Sequence, residues 1–273
     1  MPELPEVETI RRALSSEVCG KRVTSVRGKS VALRRPLDVE MLCAILPGRR
    51  FLEPRRRGKF LLLDTDPMGS HLFHLGMSGV IQLVPATAPL RAHTHLILEL
   101  DDGRELRFVD PRRFGMAVWL EPGDEANDPS LNKLGMEPLD PRLSQMLPPL
   151  IRNRRAPIKS LLLDQHLVAG IGNIYAAEAL WRAGIHPRRA GNRISVARLA
   201  TLAGTLQEVL AEAIAEGGTT LRDFSTPDGN SGYFAISLQV YGRQGEPCPR
   251  CGATIRAEAI GGRTTAWCPR CQR

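Results

Sequence analysis

Four cysteines constrain this chain more than any other feature. Cys248 and Cys251 bound one Cys-Pro-Arg-Cys unit, Cys268 and Cys271 bound an identical second one, and sixteen residues separate the two. Each unit offers two thiolates from one tight turn. Two such turns complete a tetrahedron with no position open to water, the pattern of a single structural zinc ion. Pairing into two disulfides would need an oxidising compartment. The start of the chain, Met1-Pro2-Glu3-Leu4-Pro5-Glu6, is acidic and proline-rich, without the basic flank and apolar run of a secretory leader. The cytoplasm is therefore the expected address and zinc the expected occupant. So short a module has too little core to fold unaided, and the metal must supply much of its stability. Between the pairs, Gly261-Gly262-Arg263-Thr264-Thr265 reads as a hairpin tip bearing an arginine, while Cys19 and Cys43 read as reduced thiols.

The chain is 273 residues long, which at roughly 100–200 residues per domain predicts two domains and the ribbon as an appendage. With 42% hydrophobic and 24% charged residues, disorder, collagen-like repeats and dense disulfide scaffolds are excluded. No apolar run approaches the ~18 residues of a membrane span. The net charge is +8, and residues 241–273 hold six basic groups against two acidic ones. Half the excess thus sits in the ribbon, which points to a polyanion, commonly nucleic acid.

Pro5 suits a first helical turn, Glu6 and Glu8 complement its positive end, and Val7, Ile10, Leu14 and Val18 keep near-helical spacing up to the stop at Gly20. Short β-like runs follow at Arg22–Val26, Phe60–Asp64, Val80–Val84, His95–Leu100 and Glu105–Val109, the last two joined by Asp101-Asp102-Gly103. They predict an antiparallel sandwich or barrel. Residues 121–150, with Pro122, Pro129, Pro138, Pro141, Pro148 and Pro149, read as a linker. Helical spacing returns in Ile158–Gln165 and Ile174–Ala183 around the turn His166–Asn173. It continues in a long helix from an N-cap at Ser195 towards Glu216, with Val196, Leu199, Ala203, Leu206, Leu210 and Ala213 on one face, expected to be core. A polar loop over Thr219–Gly232 precedes a last β-like run, Phe234–Tyr241.

Five segments, in order, resemble one family. Pro2-Glu3-Leu4-Pro5-Glu6-Val7-Glu8, His74-Leu75-Gly76-Met77-Ser78-Gly79, Asp110-Pro111-Arg112-Arg113-Phe114-Gly115, Gly170-Ile171-Gly172-Asn173-Ile174-Tyr175 and the cysteine ribbon are similar to those of bacterial formamidopyrimidine-DNA glycosylases. The resemblance implies an α+β multidomain chain with DNA in a cleft: an N-terminal antiparallel β-sandwich with an N-terminal helix over 1–130, a linker over 131–150, a helix-two-turn-helix domain over 151–233 and a C-terminal four-cysteine zinc ribbon, or zinc finger, over 234–273. It implies a monomeric base-excision repair enzyme that removes oxidised purines from double-stranded DNA and then cuts the abasic site.

In that reading Pro2 is the nucleophile once Met1 is removed, a cleavage expected because proline is small. Its secondary amine titrates near ~8, so a useful fraction is neutral. Glu3 is the acid and base beside it, with Glu6 a weaker supporting carboxylate or simply a first-turn glutamate. Lys59, Asn173 and Arg263 hold phosphates around the lesion and help turn one nucleotide out of the helix; Lys59 and Arg263 stand with Pro2 and Glu3 as the catalytic set. Met77, Arg112 and Phe114 fill the vacated space. His93 belongs with the DNA-binding residues; with His95 two positions on, it reads as a buried hydrogen-bonding histidine on a shared strand face, not as a second metal site. The loop Gly217–Gly232, with Thr219 and Thr220, grips the flipped base. Two alternatives stay open: the sister endonuclease VIII family, which prefers oxidised pyrimidines, and a zinc-ribbon DNA-binding protein without chemistry. Leu4, Met77 and Arg112-Arg113-Phe114 favour the purine branch.

Overall fold

The computed structural model describes residues 2–217 and 238–273, which divide into two compact units, residues 2–132 with 217, and residues 133–216 with 238–273. Helix α1 (Leu4–Val18) opens the first unit; the Glu3 N–H donates to the Glu6 carboxylate at 2.8 Å, and this capping box satisfies the helix start. Val7, Ile10, Leu14 and Val18 are buried, as their spacing requires. Chain order continues with β1 (Val23–Gly28), the short pair β2 (Val31–Ala32) and β3 (Pro36–Leu37), α2 (Val39–Ile45), β4 (Arg50–Phe51) and β5 (Arg55–Arg57). There follow β6 (Phe60–Asp66), β7 (Ser70–His74), β8 (Val80–Pro85), β9 (Thr94–Leu100), β10 (Arg104–Val109) and β11 (Met116–Leu120).

Two antiparallel sheets form a sandwich, one ordered β1-β9-β10-β8, the other β11-β7-β6-β4 with β5 also on β6. Their inner faces share one core with α1: Leu83, Leu98 and Phe108 from the first sheet, Leu61, Phe73 and Trp119 from the second. Residues 116–120 are buried throughout, so β11 carries no alternation for a sequence reading to catch.

The second unit holds α3 (Leu143–Ile151), α4 (Ile158–Leu163), α5 (Asn173–Arg182) and α6 (Val196–Ala215), then the hairpin β12 (Arg256–Ile260) and β13 (Arg263–Trp267). Helix α6 starts where expected, Ser195 Oγ accepting the Arg198 N–H at 3.3 Å. Leu199, Ala203, Leu206, Leu210 and Ala213 are buried, but Val196, expected on the same face, lies at the first helical position beyond the reach of the core and is exposed. The expected linker over 131–150 is corrected: most of α3 lies inside it, although Pro148 and Pro149 fall within the helix. Leu143, Leu147 and Ile151, spaced by four, are fully buried in one core with Leu199, Leu206 and Leu210 of α6. That burial outweighs the backbone hydrogen bonds the prolines cannot make. The loop expected to grip a flipped base lies outside the described residues except for Gly217, as does most of the β-like run Phe234–Tyr241. Its visible end, 238–241, is not a strand; the buried Glu178 carboxylate accepts the N–H groups of Gln239, Val240 and Tyr241 at 2.9–3.0 Å. No helix among the described residues is long and apolar enough to cross a membrane.

Candidate active site and DNA-contact surfaces

Within the first unit, Pro2 is half-buried and Glu3 is 2% exposed. Glu6 is buried and engaged at N3 of the capping box, so its carboxylate holds the chain end that Pro2 and Glu3 belong to. Glu8, two residues on, meets Arg56 of β5 at 3.1 Å, tying α1 to the strand that leads into Lys59. Burial pushes the Glu8 carboxyl up, but hydrogen bonds from Arg11, Arg12 and Arg56 outweigh it and hold it below its usual value.

Lys59 sits in the two-residue turn Gly58-Lys59 between β5 and β6, where Gly58 takes φ +55°. It is only 8% exposed. The ring of its neighbour Phe60 lies 4.8 Å from that of His74. Burial, reinforced by the charges of Arg34 and Lys59, lowers the His74 pKa to about 3. His74 is thus neutral, its Nδ1 accepting the Gly76 N–H at 3.0 Å.

Two loops then meet. Gly76 has φ +61°, and a Cβ placed there would lie 2.4 Å from the Phe114 carbonyl carbon, so only glycine lets loop 75–79 press against loop 110–115. This contact presents Met77, 41% exposed, and Phe114, 47% exposed, with the Arg112 guanidinium 4.9 Å above the Phe114 ring. The structure therefore assembles Met77, Arg112 and Phe114 into one exposed group.

For the two histidines the sequence expectation divides. His95 is buried on β9, its Nε2 2.9 Å from the Asp110 carbonyl oxygen. His93 is exposed and precedes β9 at φ +65°, next to a register irregularity opposite Phe108 and Val109. The strand twists out of alternation there, so His93 shares no face with His95 and is accessible.

Within the second unit, Asn173 begins α5, but its side chain does not cap the helix. Its Nδ2 donates to the Thr264 carbonyl at 3.0 Å, and its buried Oδ1 has no hydrogen-bond partner among the described residues. Lys159 of α4, fully buried, reaches the same carbonyl at 3.4 Å and bonds to Thr265 Oγ1. Asn173 and Lys159 thus both grip the strand that carries exposed Arg263. Gly261 and Gly262, at φ +58° and +72°, form the tight turn ahead of it. Sequence reasoning passed over Lys159; its signal was a lysine at a core position of an otherwise apolar helix.

The four thiols of Cys248, Cys251, Cys268 and Cys271 lie within 4.8 Å of one another and none is in a disulfide. Burial and the crowding of the other three sulfurs push the Cys271 thiol up to about 12, so four thiolates can coexist only around a cation. The Cys271 N–H already donates to the Cys268 sulfur at 3.4 Å. Distances, ligand type and this donor fit zinc.

Comparison with known proteins finds matches to three stretches of the chain. Residues 1–117 match the formamidopyrimidine-DNA glycosylase N-terminal domain, residues 134–225 its H2TH domain, and residues 245–273 the zinc finger found in FPG and IleRS. The chain is 50% identical to a formamidopyrimidine-DNA glycosylase of Stenotrophomonas maltophilia, covering all of both sequences. A solved MutM (FPG) protein from Thermus thermophilus superposes with a TM-score of 0.86 at 41% identity, over 99% of this chain and 98% of that one. A Lactococcus lactis FPG bound to Fapy-dG-containing DNA gives 0.88 at 33% identity, over 99% and 100%.

Proposed function

The chain belongs to the formamidopyrimidine-DNA glycosylase family, and on that premise we propose that it excises oxidised purines, chiefly 8-oxoguanine and formamidopyrimidines, from duplex DNA and cleaves the resulting abasic site. The observation that carries this is the chain start: a half-buried Pro2 followed by a buried Glu3, held by Glu6 at the head of α1.

After removal of Met1, the neutral Pro2 nitrogen attacks C1′ of the damaged nucleotide. The C1′–base bond breaks with its electron pair, and the base leaves after taking up a proton. Nitrogen loses its proton, the C1′–O4′ bond opens, and Glu3 protonates O4′, leaving an iminium ion. That cation draws electrons from C2′, whose proton is lost as the 3′ phosphate departs; a second elimination expels the 5′ phosphate. Lys59, Asn173 and Arg263 bind phosphates. Met77, Arg112 and Phe114 occupy the space the extruded base vacates, Arg112 facing the orphaned partner. One structural zinc ion on the four cysteines stabilises the ribbon that carries Arg263.

Borohydride trapping tests this reading. The enzyme is incubated with duplexes carrying 8-oxoguanine opposite cytosine or thymine glycol opposite adenine, and the reduced covalent adduct is measured. An adduct mainly on 8-oxoguanine is expected, with the proline amine as its attachment point by mass. Preference for thymine glycol would move the chain to the pyrimidine specificity of the sister family, and binding without an adduct would remove the chemistry altogether. Pro2→Gly is expected to lose most of the lyase activity; full activity with an unchanged adduct would sink the nucleophile assignment.

A further inference from the structure

Asp110 directly follows the strand β10 and has no exposed surface, yet no step above uses its side chain. Its carboxylate is the point where the two presenting loops meet. Oδ1 accepts the Ser78 hydroxyl at 2.7 Å and the Arg112 N–H at 3.3 Å, while Oδ2 accepts the Gly115 N–H at 2.7 Å. Ser78 Oγ also accepts the Arg112 N–H, at 3.2 Å. The Asp110 main chain is fixed in turn: its N–H donates to the His93 carbonyl at 3.0 Å, and its own carbonyl meets His95 Nε2.

The residues bonded to this carboxylate are the immediate neighbours of the exposed group. Ser78 follows Met77, Gly115 follows Phe114, and Arg112 contributes its own backbone. A rotation of either loop that moved Met77 or Phe114 would break a charge-assisted hydrogen bond to a carboxylate that itself has no exposed surface. We propose that Asp110 is a positioning residue for base extrusion: it locks Met77, Arg112 and Phe114 into the shape that fills the space left in the duplex. The proposal rests on the void-filling reading of those three side chains.

A positioning role differs from a general structural one in where it acts. It matters when a paired base must be turned out and replaced. It does not matter for cleavage of an abasic site in single-stranded DNA, which has no opposing base and no stack to fill. Asp110→Asn puts an amide where the carboxylate accepts bonds from both loops. Excision of 8-oxoguanine from a duplex is expected to fall on the order of 10–100-fold, while cleavage of the single-stranded abasic oligonucleotide stays within about twofold. A 2-aminopurine placed beside the lesion, which brightens on unstacking, should brighten more slowly by the same factor as excision.

Ser78→Ala removes one of the bonds without disturbing charge and carries the test should Asp110→Asn fail to fold; the same selective loss is expected, smaller in size. Equal loss on both substrates in a folded variant, or loss on neither, overturns the proposal. Arg112→Ala separates the two layers. If it retains duplex excision, the void-filling reading itself fails; if it loses excision while Asp110→Asn and Ser78→Ala do not, only the positioning role falls.

Discussion

His71 shows how one side chain sets a property of the protein. It lies fully buried on β7, both ring nitrogens lack a hydrogen-bond partner among the described residues, and its ring centroid is 4.2 Å from that of Phe73. Burial lowers its pKa to about 3, as it does for His74. In the unfolded chain both titrate near ~6.5. Below that value the unfolded state takes up protons that the folded state refuses, so stability present at neutral pH is lost as pH falls towards 3. Between pH 7 and pH 5 the loss is about 2 kcal/mol for each histidine, read from urea midpoints at the two pH values. His71→Leu keeps the bulk and removes two unpartnered polar atoms, so at pH 7 it is expected to stabilise by about 1–3 kcal/mol and to remove one histidine's share of the acid loss. An unchanged midpoint and an unchanged pH dependence would falsify this account of His71. At this scale, sequence reading found side chains whose chemistry is carried by type and motif, such as Pro2, Glu3 and the cysteines. It missed Lys159 and Asp110 because their meaning lies in partners distant along the chain: Thr265 is 106 residues from Lys159, and Ser78 is 32 from Asp110.

Among elements, those with a clean period were legible and those shaped by their neighbours were not. Helices α1 and α6 declared themselves through spacing and caps, whereas β7 and β11 are short or buried throughout, and α3 is helical despite two internal prolines. Because Leu147 sits in the core shared with α6, Leu147→Ala should destabilise the second unit by about 2–5 kcal/mol in thermal or denaturant unfolding. A residue in a linker would give almost nothing. The ribbon hairpin makes a separate prediction. Its few buried apolar side chains and crowded thiols leave the metal as its main support. Chelation should abolish ordered signals from Trp267, lower DNA affinity by more than tenfold, and leave the unfolding of the sandwich unchanged. DNA affinity that survived complete zinc loss would show that the ribbon does not hold DNA.

Across the whole molecule, net charge is less informative than which cations keep a carboxylate partner. In the sandwich, Arg27 pairs with Glu105, Arg35 with Asp128, Arg55 with Asp64 and Glu125, and Arg104 with Glu17 and Asp102. The ribbon's two side-chain carboxylates, Glu246 and Glu258, pair with Arg243 and Arg188, which leaves Arg250, Arg256, Arg263, Arg270 and Arg273 with no side-chain carboxylate partner among the described residues. A cation already neutralised within the protein releases few counterions when DNA binds, whereas an unpaired one that meets a phosphate releases about 0.9. Salt dependence should therefore sort these arginines. Plotting log affinity against log salt for an undamaged duplex, Arg263→Ala is expected to weaken binding and flatten the slope by about 1. Arg55→Ala, which removes a cation engaged by two carboxylates, should leave the slope within error. Arg112→Ala, whose target is an orphaned base and not a phosphate, should weaken binding to lesion-bearing duplex with no change in slope. Equal flattening by Arg55→Ala and Arg263→Ala would mean that bulk positive charge holds the DNA and that individual placement contributes little.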